Sequence, residues 1–90
     1  MEIKEERLSR GISAYSRRKI LRLISDQELT VKEIAQTTKM SVSLASRHLK
    51  LLYDLGFLNV RISHPNKFYT LKVKDLKELL ILYDKVVKKI

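Results

Sequence analysis

The residues with the clearest chemical use lie between positions 41 and 50, where hydroxyl and basic side chains recur on one side of a predicted helix. Arg47 is able to donate two hydrogen bonds to a guanine edge or to hold a phosphate. Ser43 and Ser46 suit either base or backbone contacts. Val42 and Leu44 carry no hydrogen-bonding group, so in a groove they would contact thymine methyls. The pattern favours a DNA-reading helix, and its predicted DNA-facing positions are Ser41, Val42, Ser43, Leu44, Ser46, Arg47 and Lys50.

Two capped helices joined by a tight turn must position that surface, and the pattern places them in residues 30–55. Thr30 and Glu33 have the spacing of a capping box, and Ser41 is a typical cap for the second helix. Gly56 offers a left-handed stop after it. This arrangement is a helix-turn-helix, whose second helix enters the major groove. The apolar positions of that helix at helical spacing are Ala45, Leu49 and Leu52.

After Gly56 the period of the apolar residues changes from 3.6 to 2, which predicts a β-hairpin over residues 57–71. Residues 63–66, with one proline and one asparagine, form its turn. A hairpin that follows a recognition helix is a wing. Its basic residues either reach the adjacent minor groove and its phosphates or form a solvated hairpin edge. These residues are Arg61, His64 and Lys67.

Three more helices complete the expected fold, over residues 3–11, from position 13 or 16 to about 25, and over residues 73–89. We therefore predict a single domain over residues 1–90. Its fold class is mainly α with a small β-hairpin, a winged helix-turn-helix in which four helices precede the wing and one follows it. Arg17, Arg18 and Lys19 would meet phosphates if they contact DNA at all. For His48 two interpretations stay open: a phosphate donor, or a partly buried histidine bonded to a backbone carbonyl.

The last helix is more apolar than the outer helix of a monomer needs to be. An apolar patch left exposed on one side of it would mark a partner surface, so we expect a two-fold homodimer. The alternative is that all of these side chains belong to the core of one chain. The predicted interface residues are Leu79, Leu80, Tyr83, Val86 and Val87.

Charge and composition narrow the function further. The chain of 90 residues has 19 basic and 10 acidic residues, a net charge of +9, and the excess is spread along it. This excess favours a polyanionic partner, although a lysine-rich solvated surface would also produce it. There is no cysteine, and the longest apolar run is too short to span a bilayer. We expect a soluble, cytoplasmic protein that does not associate with membranes.

Catalysis finds little support in the sequence. No glycine-rich phosphate loop and no thiol is present, and the two histidines have no carboxylate nearby in sequence. We expect no enzyme activity, no cofactor and no metal. The acidic residues fit surface or capping roles, notably Glu28, Glu33, Asp54 and Glu78.

Together these segments resemble the ArsR-type winged-helix transcriptional regulators over about residues 12–71. The matching pieces are SRRKILRLI, LTVKEIA, MSVSLASRHLKLLYDLGFL and the closing KFYTL. The resemblance implies a dimeric repressor on a palindromic operator, read by Val42, Ser43, Leu44, Ser46 and Arg47. The cysteine ligands and terminal-helix histidines of the metal-sensing members are missing, so metal sensing of that kind is not expected. Lys39 stands where the family often has glycine, and Val42 where a polar reader is common.

The leading hypothesis is therefore a homodimeric, sequence-specific regulator of transcription, a repressor that binds an inverted repeat in double-stranded DNA. An architectural DNA-binding protein without strong sequence preference is the second. A winged helix used for protein assembly, through its apolar last helix, is the third, and RNA binding is a minor fourth.

Overall fold

The computed structural model describes residues 3–90, which form five helices and one three-stranded antiparallel sheet. This confirms the predicted winged helix-turn-helix; residues 1 and 2 of the predicted domain lie outside the described part. In chain order the elements are α1 (Lys4–Ile12), α2 (Tyr15–Leu23), β1 (Leu29–Thr30), α3 (Val31–Thr38), α4 (Val42–Asp54), β2 (Leu58–Ser63), β3 (Asn66–Leu71) and α5 (Asp75–Lys88).

The short strand β1 is the one element that the sequence pattern did not predict. Leu29 pairs with Tyr69 and Thr30 with Phe68, so the strand order is β1-β3-β2. Two residues are too few to show an alternating pattern, and Thr30 is also the N-cap of α3. The wing is therefore the outer part of a sheet whose first strand directly precedes the helix-turn-helix.

The caps predicted from the sequence are confirmed. The backbone N–H of Glu33 donates to Thr30 Oγ1 (3.2 Å), and the Thr30 N–H donates to Glu33 Oε1 (2.9 Å), which completes the capping box. Ser41 Oγ accepts from the Leu44 N–H at 3.0 Å. Between these helices Lys39 is left-handed, with φ of 60°, at a cost of about 1 kcal/mol for a residue with a Cβ. Gly56, with φ of 91°, ends α4 without that cost.

Side chains from every helix after α1 and from β2 and β3 form the core. The largest fully buried side chains come mainly from α2, α4 and the two long strands: Ile20, Leu21, Ile24, Ile34, Leu49, Leu52, Leu58, Leu71 and Leu80. Leu80 corrects the predicted dimer interface. It lies in the core of the chain because α5 packs against α2 along its Leu76 and Leu80 side.

Gly11 allows α1 to approach the core closely. A Cβ built at this position would overlap the ring of Phe57, the residue directly after Gly56. Phe57 is buried, with 6% of its surface exposed, so its ring has little room to move. The absence of a side chain at position 11 therefore sets the distance between α1 and the start of the sheet.

We expect Gly11→Ala to lower the free energy of unfolding by about 1–3 kcal/mol, because overpacking outweighs the better helix propensity of alanine. Urea denaturation measures this difference. Ser9→Ala, at an exposed position of the same helix, is the control and should not destabilise the protein. Phe57→Leu should recover part of the loss in the double variant; no recovery would show that the overlap is not the cause.

Candidate nucleic-acid interface

The helix α4 presents two opposite faces, one wholly buried and one exposed. Ala45, Leu49 and Leu52 have no exposed surface. The predicted DNA-facing residues lie on the other side: Ser41, Val42, Ser43, Ser46, Arg47 and Lys50 are exposed, and Leu44 is half-buried. Val42 has 51% of its surface exposed, which is a large fraction for an apolar side chain. The structure thus brings the predicted polar and apolar positions together at the start of one helix.

Lys50 lies further along the same exposed side and is paired. Its Nζ lies 3.0 Å from Oδ2 of Asp54, one helical turn away. Both side chains are largely in solvent, so the pair contributes little to stability. Sequence spacing alone would have suggested this pair, because residues four apart on a helix are neighbours.

The three predicted wing residues occupy two different faces of the hairpin. His64 and Lys67 are exposed at its end. Arg61 faces the other way: its Nε and Nη2 donate to the two carboxylate oxygens of Glu28, at 3.0 and 2.7 Å. Its guanidinium carbon also lies 4.4 Å from the centre of the Phe68 ring. The hydrogen bonds from Arg61 lower the pKa of Glu28.

Glu28 is a partner that sequence analysis missed. It lies 33 residues from Arg61, in the loop before β1, and no local pattern connects the two positions. The pairing of β1 with β3 is what brings them together. Arg61 therefore ties the wing to the loop before β1. A contact from Arg61 to DNA would require its two hydrogen bonds to Glu28 to break.

The basic residues at the start of α2 bind backbone carbonyls of neighbouring helix ends. Arg17 donates to the carbonyls of Gly11 and Arg10, at 3.1 and 2.7 Å. Arg18 donates to that of Ile12 at 2.7 Å, and Lys19 to that of Thr38 at 3.1 Å. Cations near helix C-termini satisfy unpaired carbonyls and interact favourably with the negative end of the helix dipole. These charges therefore hold α1 and α3 in place.

His48 is half-buried on α4, between the buried and the exposed faces. Its pKa is lowered from the ordinary 6.5, first by burial and then by the positive charges of Arg17 and Arg47. The folded protein therefore favours the neutral imidazole. Such a histidine has one ring nitrogen to accept and one to donate, and it adds no positive charge to the surface near pH 7.

Comparison with known proteins identifies the family. A sequence model of bacterial regulatory proteins of the arsR family matches residues 16–60, half of the chain. The transcriptional activator HlyU of Vibrio cholerae is 32% identical over 75 residues, which cover 83% of this chain and 69% of that protein. The chain belongs to the ArsR family of bacterial regulatory proteins. It is thus a DNA-binding transcriptional regulator and not an enzyme, as the sequence predicted.

Solved structures agree with this assignment to the ArsR family. HlyU from Vibrio cholerae superposes with a TM-score of 0.82 at 30% identity, covering 92% of this chain and 90% of that one. The homodimeric winged helix-turn-helix domain of Mb0332 from Mycobacterium bovis gives 0.83 at 26% identity, covering 96% and 80%. The repressor BigR from Xylella fastidiosa gives 0.84 at 19% identity, which supports the fold alone.

Two features are absent from residues 3–90 of this ArsR-family chain. No helix in that range is both long and apolar enough to cross a membrane. The same residues contain no group of three or more His, Cys, Asp or Glu side chains placed to hold a metal ion.

The lowered pKa of His48 has a measurable consequence. The unfolded chain takes up a proton on this residue more readily than the folded one, so the stability that its neutral form contributes is complete above pH 6.5 and decreases as the pH falls below it. In an NMR titration we expect the His48 ring signals to have a midpoint below 6.5. Arg47→Ala should raise that midpoint, and His48→Gln should reduce the loss of stability in acid. A midpoint at or above 6.5 would contradict the conclusion that the folded protein lowers the pKa of His48.

Proposed function

We propose that this protein is a homodimeric, sequence-specific repressor that binds an inverted repeat in double-stranded DNA. The single observation that carries this proposal is the presence of two separate exposed surfaces. One is the polar and basic face at the start of α4, and the other is an apolar hollow on α5. The first suits a DNA groove and the second suits a copy of the same chain.

The first surface has the chemistry of direct base recognition. The first two turns of α4 enter the major groove, where Arg47 donates to a guanine and Val42 contacts a thymine methyl. Ser43 and Ser46 bind bases or phosphates there. His64 and Lys67 at the end of the wing bind the flanking backbone or minor groove. In this proposal Arg61 positions the wing through Glu28.

The second surface is an apolar hollow of about 330 Å³ along α5. Side chains at positions 79, 82, 83, 86, 87 and 90 recur with helical spacing, so they share one face. Leu82, Val86 and Val87 each have more than half of their surface exposed. Exposed apolar side chains in this number mark a contact surface. Leu82 and Ile90 replace Leu80 in the interface expected from the sequence; the full set is Leu79, Leu82, Tyr83, Val86, Val87 and Ile90.

A two-fold dimer through α5 presents two α4 helices to successive major grooves, about 34 Å apart. Its site is consequently an inverted repeat. We propose that the bound dimer represses by occupying a promoter. The relative from Vibrio cholerae is named an activator. A promoter reporter measured with and without the protein therefore tests whether it represses or activates transcription. Reduced transcription supports repression, and increased transcription overturns it.

The experiment that tests the proposal is retention of sheared genomic DNA by the purified protein at about 0.15 M salt, followed by sequencing. That ionic strength screens much of the non-specific attraction. A few sharp peaks that share an inverted repeat are expected. Even retention across the genome would favour an architectural DNA-binding protein, and no retention would favour a protein or RNA partner.

Arg47→Ala should weaken binding to the selected site by about 1–3 kcal/mol and relax the preference at one base-pair position. Competition with duplexes that vary each position measures both effects. Lys72→Ala, which removes one exposed positive charge directly after β3, is the matched control and should leave the preference unchanged. If Arg47→Ala retains the parent's discrimination between selected and random duplexes, the DNA-reading face is assigned wrongly.

Leu82→Lys should give a folded monomer with much weaker operator binding, because it places a charge in the hollow on α5. Sedimentation velocity and circular dichroism separate dissociation from unfolding. Ile81→Lys, an exposed position on the same helix outside the hollow, should remain dimeric. Leu80→Lys, by contrast, should unfold the chain. A dimeric Leu82→Lys protein would show that the subunits associate through another surface.

A further inference from the structure

An open cleft of about 470 Å³ separates α4 from the wing. Leu49, which is fully buried, forms its floor. Val60 and Tyr69 are half-buried and form part of its walls. Lys50, Tyr53, Ile62 and Lys67 are exposed and form its rim.

The regular spacing of both elements creates this cleft. On the helix, Ser46, Lys50 and Tyr53 follow one another at intervals of four and three, so they share one face. On the wing, Ile62 pairs with Lys67 across the strands, and the alternation of side chains places both on the same face. The cleft begins at Ser46, which also belongs to the proposed DNA-reading face, so the two surfaces are continuous.

The rim alternates large apolar side chains with cations. Tyr53 and Ile62 have 52% and 58% of their surface exposed, on opposite sides of the cleft. Lys50 and Lys67 place one ammonium group on each side. A DNA strand has the matching alternation, since apolar faces of deoxyribose separate its phosphates. A DNA strand also lies between any two elements that enter neighbouring grooves of a duplex.

We propose that the cleft binds the sugar–phosphate strand that runs between the major groove read by α4 and the minor groove at the wing. This inference rests on the proposed DNA-binding orientation. Lys67 binds a phosphate, Tyr53 and Ile62 pack against the sugars, and Asp54 limits the affinity. The Asp54 carboxylate holds the Lys50 ammonium at 3.0 Å and places a negative charge beside the incoming strand.

Asp54 provides the sharpest test, because its removal should strengthen binding. Asp54→Asn releases Lys50 for a phosphate, so affinity should increase several-fold, and the slope of log K against log salt should become steeper by about 0.9. Lys67→Ala should weaken binding and make the slope shallower by about 0.9. Glu78→Gln, which removes an exposed carboxylate on α5, controls for the change in net charge.

Tyr53 tests the apolar part of the cleft. Tyr53→Ala should weaken binding by at least about threefold, as expected for partial loss of apolar burial, without changing the salt slope. Tyr53→Phe should bind like the parent, because packing against a sugar does not need the hydroxyl. Tyr15→Ala, at an exposed tyrosine on α2, is the matched control.

These variants are compared on two 30-base-pair duplexes: the site recovered from genomic DNA and a random sequence. Backbone contacts carry no sequence information, so the cleft variants should change affinity for both duplexes by the same factor. Arg47→Ala should weaken binding to the selected duplex by a larger factor than to the random one. If Asp54→Asn and Lys67→Ala leave the salt slope unchanged while Arg47→Ala still loses discrimination, the cleft proposal is overturned and the proposed function stands. If no duplex is discriminated from the random one, the proposed function itself fails.

Discussion

Burial of one side of α4 is the constraint on which the rest of the structure depends. Ala45, Leu49 and Leu52 have no exposed surface, so rotation of the helix would place at least one of them in water. Exposing a single leucine side chain costs about 1.5–3 kcal/mol. The rotational position of the helix is therefore fixed by packing, and the residues on its other side point outward whatever their own contacts are. Recognition chemistry on that outer side can vary without affecting the core.

Several of the basic side chains that produce the large positive charge stabilise the fold by binding carbonyls at helix ends. Arg17, Arg18 and Lys19 donate hydrogen bonds to carbonyls at the ends of α1 and α3. Arg7 does the same at the end of α4, donating to the carbonyl of Leu55 at 2.8 Å. At the ends of α1 and α3 these groups bind carbonyls where a glycine cap is common, and at the end of α4 Arg7 binds a carbonyl beside Gly56. The net charge of +9 still attracts a polyanion, but fewer basic side chains are free to contact it directly. The position of a basic residue is more informative than its number.

The sequence predicted the helices, their caps and the wing because each is determined by local spacing. Thr30 and Glu33 lie three residues apart, and Ala45, Leu49 and Leu52 follow the helical period. The strand β1 and the pair between Glu28 and Arg61 were not predictable, because both depend on contacts between distant segments. Leu80 was assigned to the wrong surface for a similar reason: an apolar helix face does not indicate which of its residues meets the chain's own core. The base-contacting residues remain a proposal.

The sheet makes the helix-turn-helix and the wing one mechanical unit. β1 leads directly into α3 and pairs with β3, while α4 leads through Gly56 into β2. Both strands of the wing are thus tied to the helix-turn-helix, one by hydrogen bonds and the other by a short connection. The bidentate pair between Glu28 and Arg61 fixes a third point. A wing held at three points keeps its distance from α4, so the exposed face of α4 and the end of the wing stay in one fixed arrangement.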